Sequence, residues 1–200
     1  MNDTTLSPLP EEDRWRAETY ALLARLLAAA PNRELLDRIA ALPCGENPGD
    51  PPLAKARKRL AGSARDASEI DLAEEYQMLF IGPTRGELLP YASWYLTGFL
   101  MEKPLAALRD ELRSLGLERQ ASAKEPEDHV TALLEVMSLL IIEAEGGEAE
   151  FFAKHLAPWI MRFFSDLKEA RFARFYRAVG ELGTEFLNVE QQYWEMTKPK

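Results

Sequence analysis

The sequence contains little cysteine and little histidine, and both shortages exclude particular kinds of chemistry. Among its 200 residues there is one cysteine, Cys44, so the chain can form neither an intramolecular disulfide nor a cysteine-based metal cluster. The two histidines, His129 and His155, fall on different predicted helices, whereas zinc hydrolases place two histidines one helical turn apart. The single thiol is typical of a reducing compartment, and no metal site is expected.

Long apolar runs and N-terminal basic residues are also missing. The most apolar stretch, Val130 to Ile142, contains Glu135 and is shorter than the roughly 18 residues that a membrane span requires. Residues 1–10 contain no lysine or arginine and no apolar core, so they do not resemble a secretory signal. We therefore expect a flexible N-terminus at residues 1–10, a cytoplasmic location and no stable membrane insertion.

Acidic residues outnumber basic ones by 33 to 24, which gives a formal net charge of -9. Nucleic-acid binding requires lysine and arginine clustered on one face, so this balance argues against a nucleic-acid partner and favours a basic one. The main basic segment, from Leu53 to Arg65, is more typical of a solvated helix face than of a docking patch.

Apolar residues recur at spacings of three and four along most of the chain, and no stretch alternates strictly enough to predict a strand. The pattern therefore predicts an all-α chain. Glycine and proline interrupt it at residues 43–52 and 81–91, which we expect to be irregular, and hinges are expected near 43–52 or 146–147. Helices are predicted to begin at about Glu11, Arg33, Ser68, Ser93, Pro104, Pro126, Ala149, Pro158 and Phe172.

Two local features refine this prediction. Asn32 and Ser68 are placed to cap the helices that follow them, and Ser68 with Asp71 has the pattern of a capping box. Aromatic residues are dense in the last third of the chain, and their helical spacing predicts that they form core rather than a cofactor site.

No recognisable catalytic motif occurs in the chain. It has no G-x-x-x-x-G-K-[ST] or G-x-G-x-x-G phosphate loop, no G-x-S-x-G serine elbow, and no Glu-x-x-His pair of the kind that holds iron in helical bundles. Cys44 lies in a segment rich in proline and glycine, which offers a nucleophile no stable geometry. The sequence therefore predicts a protein that is not an enzyme.

Three segments combine residues that helix packing alone does not require. Glu75 to Pro83 is an apolar helix end that runs into a rigid turn, and Pro90 to Tyr95 places three aromatic residues at the mouth of a loop. Glu125 to His129 places three carboxylates and an imidazole on the predicted first turn of the longest helix. Each alone has a structural explanation, since acids stabilise a helix N-terminus. Their occurrence in one chain is more informative.

These segments, with a fourth further along, resemble the TorD/DmsD family of cytoplasmic chaperones for redox enzymes, which are relatives of the nitrate reductase delta subunit. The family's motifs occur in order as E-Y-x-x-L-F-x-G-P at Glu75 to Pro83, P-Y-x-S-x-Y at Pro90 to Tyr95 and E-P-x-D-H at Glu125 to His129. Phe151 to Trp159 is similar to the family's F-x-x-x-H-L-x-x-W segment. Ala92 departs from the glutamate that many members carry there.

The resemblance implies a TorD-like single-domain bundle of about ten helices over residues 11–200, without catalytic turnover and without a cofactor, although weak GTP binding is known among relatives. It implies that the protein binds an apo-molybdoenzyme catalytic subunit, its twin-arginine signal peptide, or both. Binding would assist cofactor insertion and delay export until folding is complete. A homodimer formed by exchange of helices is also compatible with the family.

A peptide-binding site follows from the same resemblance. A twin-arginine signal presents a basic end followed by an apolar helix, so its receptor should combine an apolar groove with carboxylates at one end. We expect the peptide to lie between the 83–90 loop and the start of the Pro126 helix. The expected peptide-binding residues are Tyr76, Phe80, Pro83, Ser93, Trp94, Tyr95, Glu125, Pro126, Glu127, Asp128 and His129, of which Asp128 and His129 match the family's D-H pair.

The sequence leaves three alternatives open. The first is an assembly factor of the nitrate reductase delta type, which grips a catalytic subunit that is not exported. The second is a guanine-nucleotide-binding switch or weak nucleotidase. The third is a helical adaptor or transcription-linked regulator.

Overall fold

The computed structural model describes residues 9–43, 49–120, 123–143 and 146–197. This part of the chain forms ten α-helices and no β-strand, so the predicted all-α fold is confirmed. The helices are α1 (Glu11–Ala28), α2 (Arg33–Ala40), α3 (Pro52–Asp66), α4 (Glu69–Tyr76), α5 (Ala92–Thr97), α6 (Lys103–Ser114), α7 (Val130–Glu143), α8 (Glu148–Phe151), α9 (Ile160–Glu169) and α10 (Phe175–Thr197). Helices α4 and α8 continue into π-helical turns, Gln77–Ile81 and Phe152–Leu156.

Some sequence predictions fall outside the described residues. Cys44, most of the 1–10 segment and the middle of the 43–52 connection lie there. Gly146 and Gly147 are described, and both have positive φ angles, 83° and 96°, that favour glycine. Among the described helices, none combines the length and the apolar composition that a bilayer span requires.

The core is built around α1, which packs along α7 and also contacts α10. Leu23 and Leu26 of α1 are fully buried, as are Leu133 and Met137 of α7. Helix α10 in turn packs against α9 and α3. The predicted aromatic core of the last third is confirmed, and its fully or almost fully buried members are Phe151, Phe152, Trp159, Phe163, Phe164, Phe175, Tyr176 and Phe186.

A buried ion pair joins the two ends of the described chain. The Arg16 guanidinium on α1 donates to both carboxylate oxygens of Glu190 on α10, at 2.7 and 3.0 Å. The Tyr20 hydroxyl donates to the same carboxylate at 2.9 Å, and Asp13 accepts a further bond from Arg16 at 2.9 Å. Because these groups satisfy one another, α1 and α10 are locked together through a polar contact inside an apolar core.

The predicted helix start at Pro126 is wrong, because α7 begins at Val130. The backbone around His129 is instead paired with the backbone around Tyr91 in an isolated antiparallel bridge. This pairing joins segments that are distant in the sequence, so local patterns could not reveal it. The acidic residues therefore precede the helix, and α10 rather than α7 is the longest described helix.

Other helix ends differ in smaller ways. The predicted cap at Asn32 is confirmed, since its side-chain oxygen accepts from the Leu35 N–H at 3.0 Å. Ser68 stands at the N-cap position of α4, but its side chain makes no capping bond, so the capping box is not formed. The sequence predicts that the helix beginning at Ser93 continues to about Met101, but α5 ends at Thr97, because Gly98 adopts a left-handed conformation with φ of 80°.

Candidate functional site

Glu75, in the first motif segment, holds the start of α10. Its carboxylate is almost completely buried and accepts bonds from the backbone N–H groups of Arg174, Phe175 and Tyr176, at 2.8, 3.2 and 2.8 Å. A carboxylate at a helix N-terminus satisfies orphan donors and opposes the positive end of the helix dipole. Helix α10 consequently begins at Phe175 and not at the predicted Phe172.

Tyr76, the next motif residue, is anchored to the end of α1. Its hydroxyl donates to the carbonyl oxygens of Leu27 and Ala28 at 3.2 and 3.0 Å. Its ring packs on Phe80, with 5.0 Å between ring centroids. Tyr76 and Phe80 therefore form a rigid, half-buried wall.

The 82–91 loop returns over the π-helical turn. The Leu88 N–H donates to the Leu79 carbonyl at 2.8 Å, a bond that the widened turn makes available. A Cβ on Gly86 would lie 2.4 Å from the Phe80 carbonyl carbon, so only glycine allows this approach.

Backbone pairing then joins the second and third motif segments. The Ala92 N–H donates to the Asp128 carbonyl at 2.9 Å, and the Val130 N–H donates to the Pro90 carbonyl at 2.8 Å. The structure thus brings together segments that the sequence separates by more than thirty positions.

Asp128 and Ser93 are enclosed by this pairing. Their exposed fractions are 1% and 0%, and the Asp128 Oδ2 atom accepts from the Ser93 N–H at 3.0 Å, which ties Asp128 to the start of α5. The Asp128 Oδ1 and Ser93 Oγ atoms have no hydrogen-bond partner within the part of the chain that the structure describes. Both residues support the site from below its surface.

His129 lies at the inner edge of the same region and is also largely buried. Its Nδ1 atom accepts from the Thr131 N–H at 3.2 Å, and its ring meets the Tyr91 ring edge-on at 5.0 Å between centroids. Burial lowers the pKa of His129 to about 4, against the opposing effects of Glu125 and Asp128. The imidazole is therefore neutral at pH 7.

His129 is expected to make stability depend on pH. The unfolded chain takes up a proton near pH 6.5 and the folded chain only near pH 4, so stabilisation is complete above pH 6.5 and is lost as pH falls towards 4. The shift corresponds to about 3 kcal/mol. Urea unfolding of the wild type and of His129→Gln across this range should show a smaller pH dependence in the variant. Parallel curves would contradict the buried neutral imidazole.

Two adjoining cavities form a continuous depression that we call the acidic groove. The first, of about 320 Å³, lies between the Tyr76–Phe80 wall and the Glu125–His129 segment. The second, of about 310 Å³, continues along α7 past Val136 and Leu139. The two cavities share lining residues, among them Glu125, Ala132 and Glu135.

The carboxylates of the acidic groove differ in what they already bind. Glu127 accepts two bonds from the Arg109 guanidinium, at 2.8 and 3.0 Å. Glu125 accepts a bond of 2.5 Å from the Tyr91 hydroxyl. Glu135 has no hydrogen-bond or ion-pair partner among the described residues, and partial burial raises its pKa. Of the two carboxylates that line both cavities, Glu125 and Glu135, Glu135 is therefore the one more available to an incoming cation.

The remaining predicted site residues lie elsewhere. Trp94 and Tyr95 line a separate cavity of about 310 Å³ together with Arg85 and Arg162. Pro83 is exposed at the turn of the loop and lines neither this cavity nor the acidic groove. The predicted residues are thus divided, with Tyr76, Phe80, Glu125, Pro126, Glu127 and His129 at the acidic groove, Ser93 and Asp128 beneath it, and Trp94 and Tyr95 apart from it.

Sequence reasoning missed Glu135 as a site residue. The available signal was a lone acid within the most apolar stretch of the chain, four residues before Leu139 on the same helical face. Leu139 is 43% exposed and Ile142, one turn further along, is 55% exposed, although the opposite face of α7 is buried. An exposed stripe on an apolar helix is a signal of binding that only the burial pattern reveals.

The fourth motif segment belongs to the core. The Trp159 Nε1 atom donates to the His155 carbonyl at 2.7 Å, and both residues are buried. The His155 Nε2 atom lies 2.9 Å from a carboxylate oxygen of Glu111, which also pairs with Lys154. This segment therefore fastens the second π-helical turn to α6.

The described residues contain no group of histidine, cysteine, aspartate and glutamate side chains that could hold a metal ion. An all-helical chain with a partly apolar, acidic groove has the features of a binding protein. Known sequences agree with this class. The family described as "Nitrate reductase delta subunit" matches residues 46–165, which is more than half of the chain, and the protein belongs to that family.

Similar proteins carry chaperone names. The chain is 28% identical to the chaperone protein TorD of Vibrio atlanticus, over 89% of this chain and 94% of the relative. It is 33% identical to the Tat proofreading chaperone DmsD of Salmonella typhi, over 64% and 65% of the two chains. The predicted family is therefore confirmed.

A solved structure shares the fold. It is a redox enzyme maturation protein from Archaeoglobus fulgidus, described as putative, with a TM-score of 0.61 and 17% sequence identity. The match covers 94% of this chain and 99% of the other. At this identity the likeness supports the helical fold alone.

Proposed function

We propose that the protein is a cytoplasmic chaperone for a molybdoenzyme and that it binds the enzyme's twin-arginine leader in the acidic groove. Retention of the leader would delay export until the cofactor has been inserted. The observation that carries the proposal is Glu135, a carboxylate without a partner among the described residues, set between apolar walls. Relatives named as Tat proofreading chaperones support the class of function.

The electrostatics favour an arginine. Partial burial raises the pKa of Glu135, and a guanidinium beside it would lower that pKa again, because the opposite charge favours the carboxylate form. Guanidinium and carboxylate form two parallel hydrogen bonds, which are stronger than neutral ones. Glu125 lines the same junction and can accept a second guanidinium while it keeps its bond from Tyr91. Two neighbouring carboxylates thus suit two neighbouring arginines.

The apolar walls suit the part of the leader that follows the arginines. Ile81 on one side and Leu139 on the other are 48% and 43% exposed. An amphipathic or apolar helix laid between them would remove both side chains from water. Asp128 is too deeply buried to contact the peptide directly, so we assign it a positioning role through Ser93 and α5.

Neutralising the Glu135 carboxylate should weaken binding of the leader peptide. In Glu135→Gln, the affinity for a synthetic twin-arginine leader peptide is expected to fall about 10- to 100-fold, because a charge-assisted contact contributes about 1.5–3 kcal/mol. Isothermal titration measures the change. The wild-type affinity should also decrease as salt is raised above about 0.15 M, where screening shortens electrostatic attraction.

Matched variants make this test specific. Glu143→Gln removes an exposed carboxylate from the same helix and should leave the affinity unchanged. Glu127→Gln should have a smaller effect than Glu135→Gln, because Glu127 is already paired with Arg109. Wild-type affinity in both Glu125→Gln and Glu135→Gln would reject the acidic groove as the leader site. If the protein pulled down its client equally well with and without the leader, the alternative of a delta-type assembly factor would be favoured.

A further inference from the structure

A second surface lies around α5 and differs in charge from the acidic groove. Its cavity, of about 310 Å³, is lined by Arg85, Trp94, Tyr95 and Arg162. From the last turn of α5 onward, the chain exposes the apolar segment 96–101. We call the cavity and this segment together the basic-apolar surface.

The two arginines of this surface are held on aromatic rings. The Arg85 guanidinium carbon lies 5.6 Å from the centroid of the Trp94 ring, and that of Arg162 lies 5.8 Å from the Tyr95 centroid. Neither arginine forms an ion pair with any residue that the structure describes. Stacking orients a guanidinium but leaves its edge donors free for an anion.

The acids near these arginines are already engaged. Glu87 accepts bonds from the backbone N–H groups of Arg171 and Phe172, at 2.7 and 3.1 Å. Burial raises the pKa of the Tyr95 hydroxyl, and the neighbouring Asp166 carboxylate raises it further. Both carboxylates line the cavity without pairing with Arg85 or Arg162, so the two cations stay available in a protein whose net charge is -9.

The adjoining segment exposes four apolar side chains in close succession. Leu96, Phe99, Leu100 and Met101 are 41%, 68%, 44% and 74% exposed. The Thr97 hydroxyl donates to the Ser93 carbonyl at 2.8 Å and accepts from the Phe99 N–H at 3.2 Å, so hydrogen bonds fix the start of the segment. Grouped exposed apolar side chains mark interaction surfaces, whereas single ones do not.

We propose that the basic-apolar surface is a second docking site, and that it takes a segment of the client enzyme outside the leader. In that segment aspartate or glutamate stands beside apolar side chains. The carboxylates pair with Arg85 and Arg162, and the apolar side chains cover Phe99 and Met101. The two unpaired arginines favour an acidic segment over the basic leader, so the two surfaces hold different parts of one client. The naming of the client as the source of the segment rests on the proposed function.

The experiment uses random peptides displayed on phage, selected on the full-length wild-type protein with excess twin-arginine leader peptide to occupy the acidic groove. Selected peptides should be enriched in aspartate or glutamate next to leucine, phenylalanine or similar residues. Their affinity should fall at least 10-fold, about 1.4 kcal/mol, both in the double variant Arg85→Gln/Arg162→Gln and in Phe99→Ser. Arg38→Gln, an exposed arginine on α2, is the control and should bind as wild type.

The proposal would be overturned by no selected peptide, by no enrichment of acidic residues, by unchanged affinity in the double variant, or by a wild-type dimer that Phe99→Ser converts to a monomer. The dimer result would show that a second copy of the chain covers the surface. Leader affinity should be unchanged in all three variants, and its loss in the double variant would also overturn the assignment. Failure of the leader to bind the wild type would instead refute the proposed function. The affinities of the selected peptides for the wild type and the variants would still test whether the basic-apolar surface is a docking site.

Discussion

Replacing Glu190 by alanine is expected to lower the free energy of unfolding by about 3–5 kcal/mol, because it leaves the Arg16 guanidinium buried without its main partner. The exposed fractions of the Arg16 and Glu190 side chains are 2% and 0%. Asp13 retains one bond to Arg16, and the Tyr193 ring lies 4.0 Å from the guanidinium carbon, but neither replaces a two-point carboxylate contact. The Tyr20 hydroxyl loses its acceptor as well.

Urea unfolding followed by circular dichroism measures this loss. The control is Asp110→Ala, which breaks the Arg113–Asp110 pair, whose two side chains are each 71% exposed. Exposed pairs contribute little, so this variant should change stability by no more than about 0.5 kcal/mol. The double variant Arg16→Met/Glu190→Leu should recover much of the loss, because it leaves no buried charge unpaired. A loss below about 1 kcal/mol in Glu190→Ala would contradict the buried pair.

The variant Glu75→Ala is expected to destabilise the protein by about 3 kcal/mol, since hydrogen bonds to a charged group contribute about 1.5–3 kcal/mol. Three backbone N–H groups at the start of α10 lose their acceptor, and the helix dipole loses its compensating charge. Thermal unfolding of Glu75→Ala is compared with that of Glu74→Ala, which removes an exposed neighbouring carboxylate on α4. The difference between the two variants isolates the contribution of the Glu75 cap.

The Glu75→Ala variant also distinguishes a structural role of Glu75, as a helix cap, from direct contact with the leader peptide. If Glu75 acts only as a helix cap, leader affinity of the folded variant should equal that of wild type. Reduced leader affinity with unchanged unfolding would mean that Glu75 contacts the peptide, and the structural explanation would be wrong. The buried position of Glu75 favours the first outcome.

Much of the fold could be predicted from local patterns. The three- and four-residue apolar spacing predicts helices because each helix must turn one face to the core. Asn32 was identified as a cap, because capping depends only on residues within one turn. The start of α7 was mispredicted at Pro126, because the Tyr91–His129 bridge is a contact between distant segments that overrides a proline well suited to a first helical position.

The candidate site could be predicted only in part. Tyr76, Phe80 and Glu125 were identified through motif resemblance, and they do line the acidic groove. The same resemblance grouped Trp94 with them, yet Trp94 lies on the basic-apolar surface. Successive residues of a short helix point in different directions, so one motif supplies side chains to two surfaces.

The sequence by itself determined the helical class, the family, the acidic charge and the aromatic core, because each depends on composition or on spacing within one element. The tertiary structure alone decided which polar groups are satisfied and which are free. Glu127 and Glu135 look alike in the sequence, but only Glu127 meets an arginine, Arg109 of α6. Charge availability depends on long-range contacts, and such contacts exist only once the chain has folded.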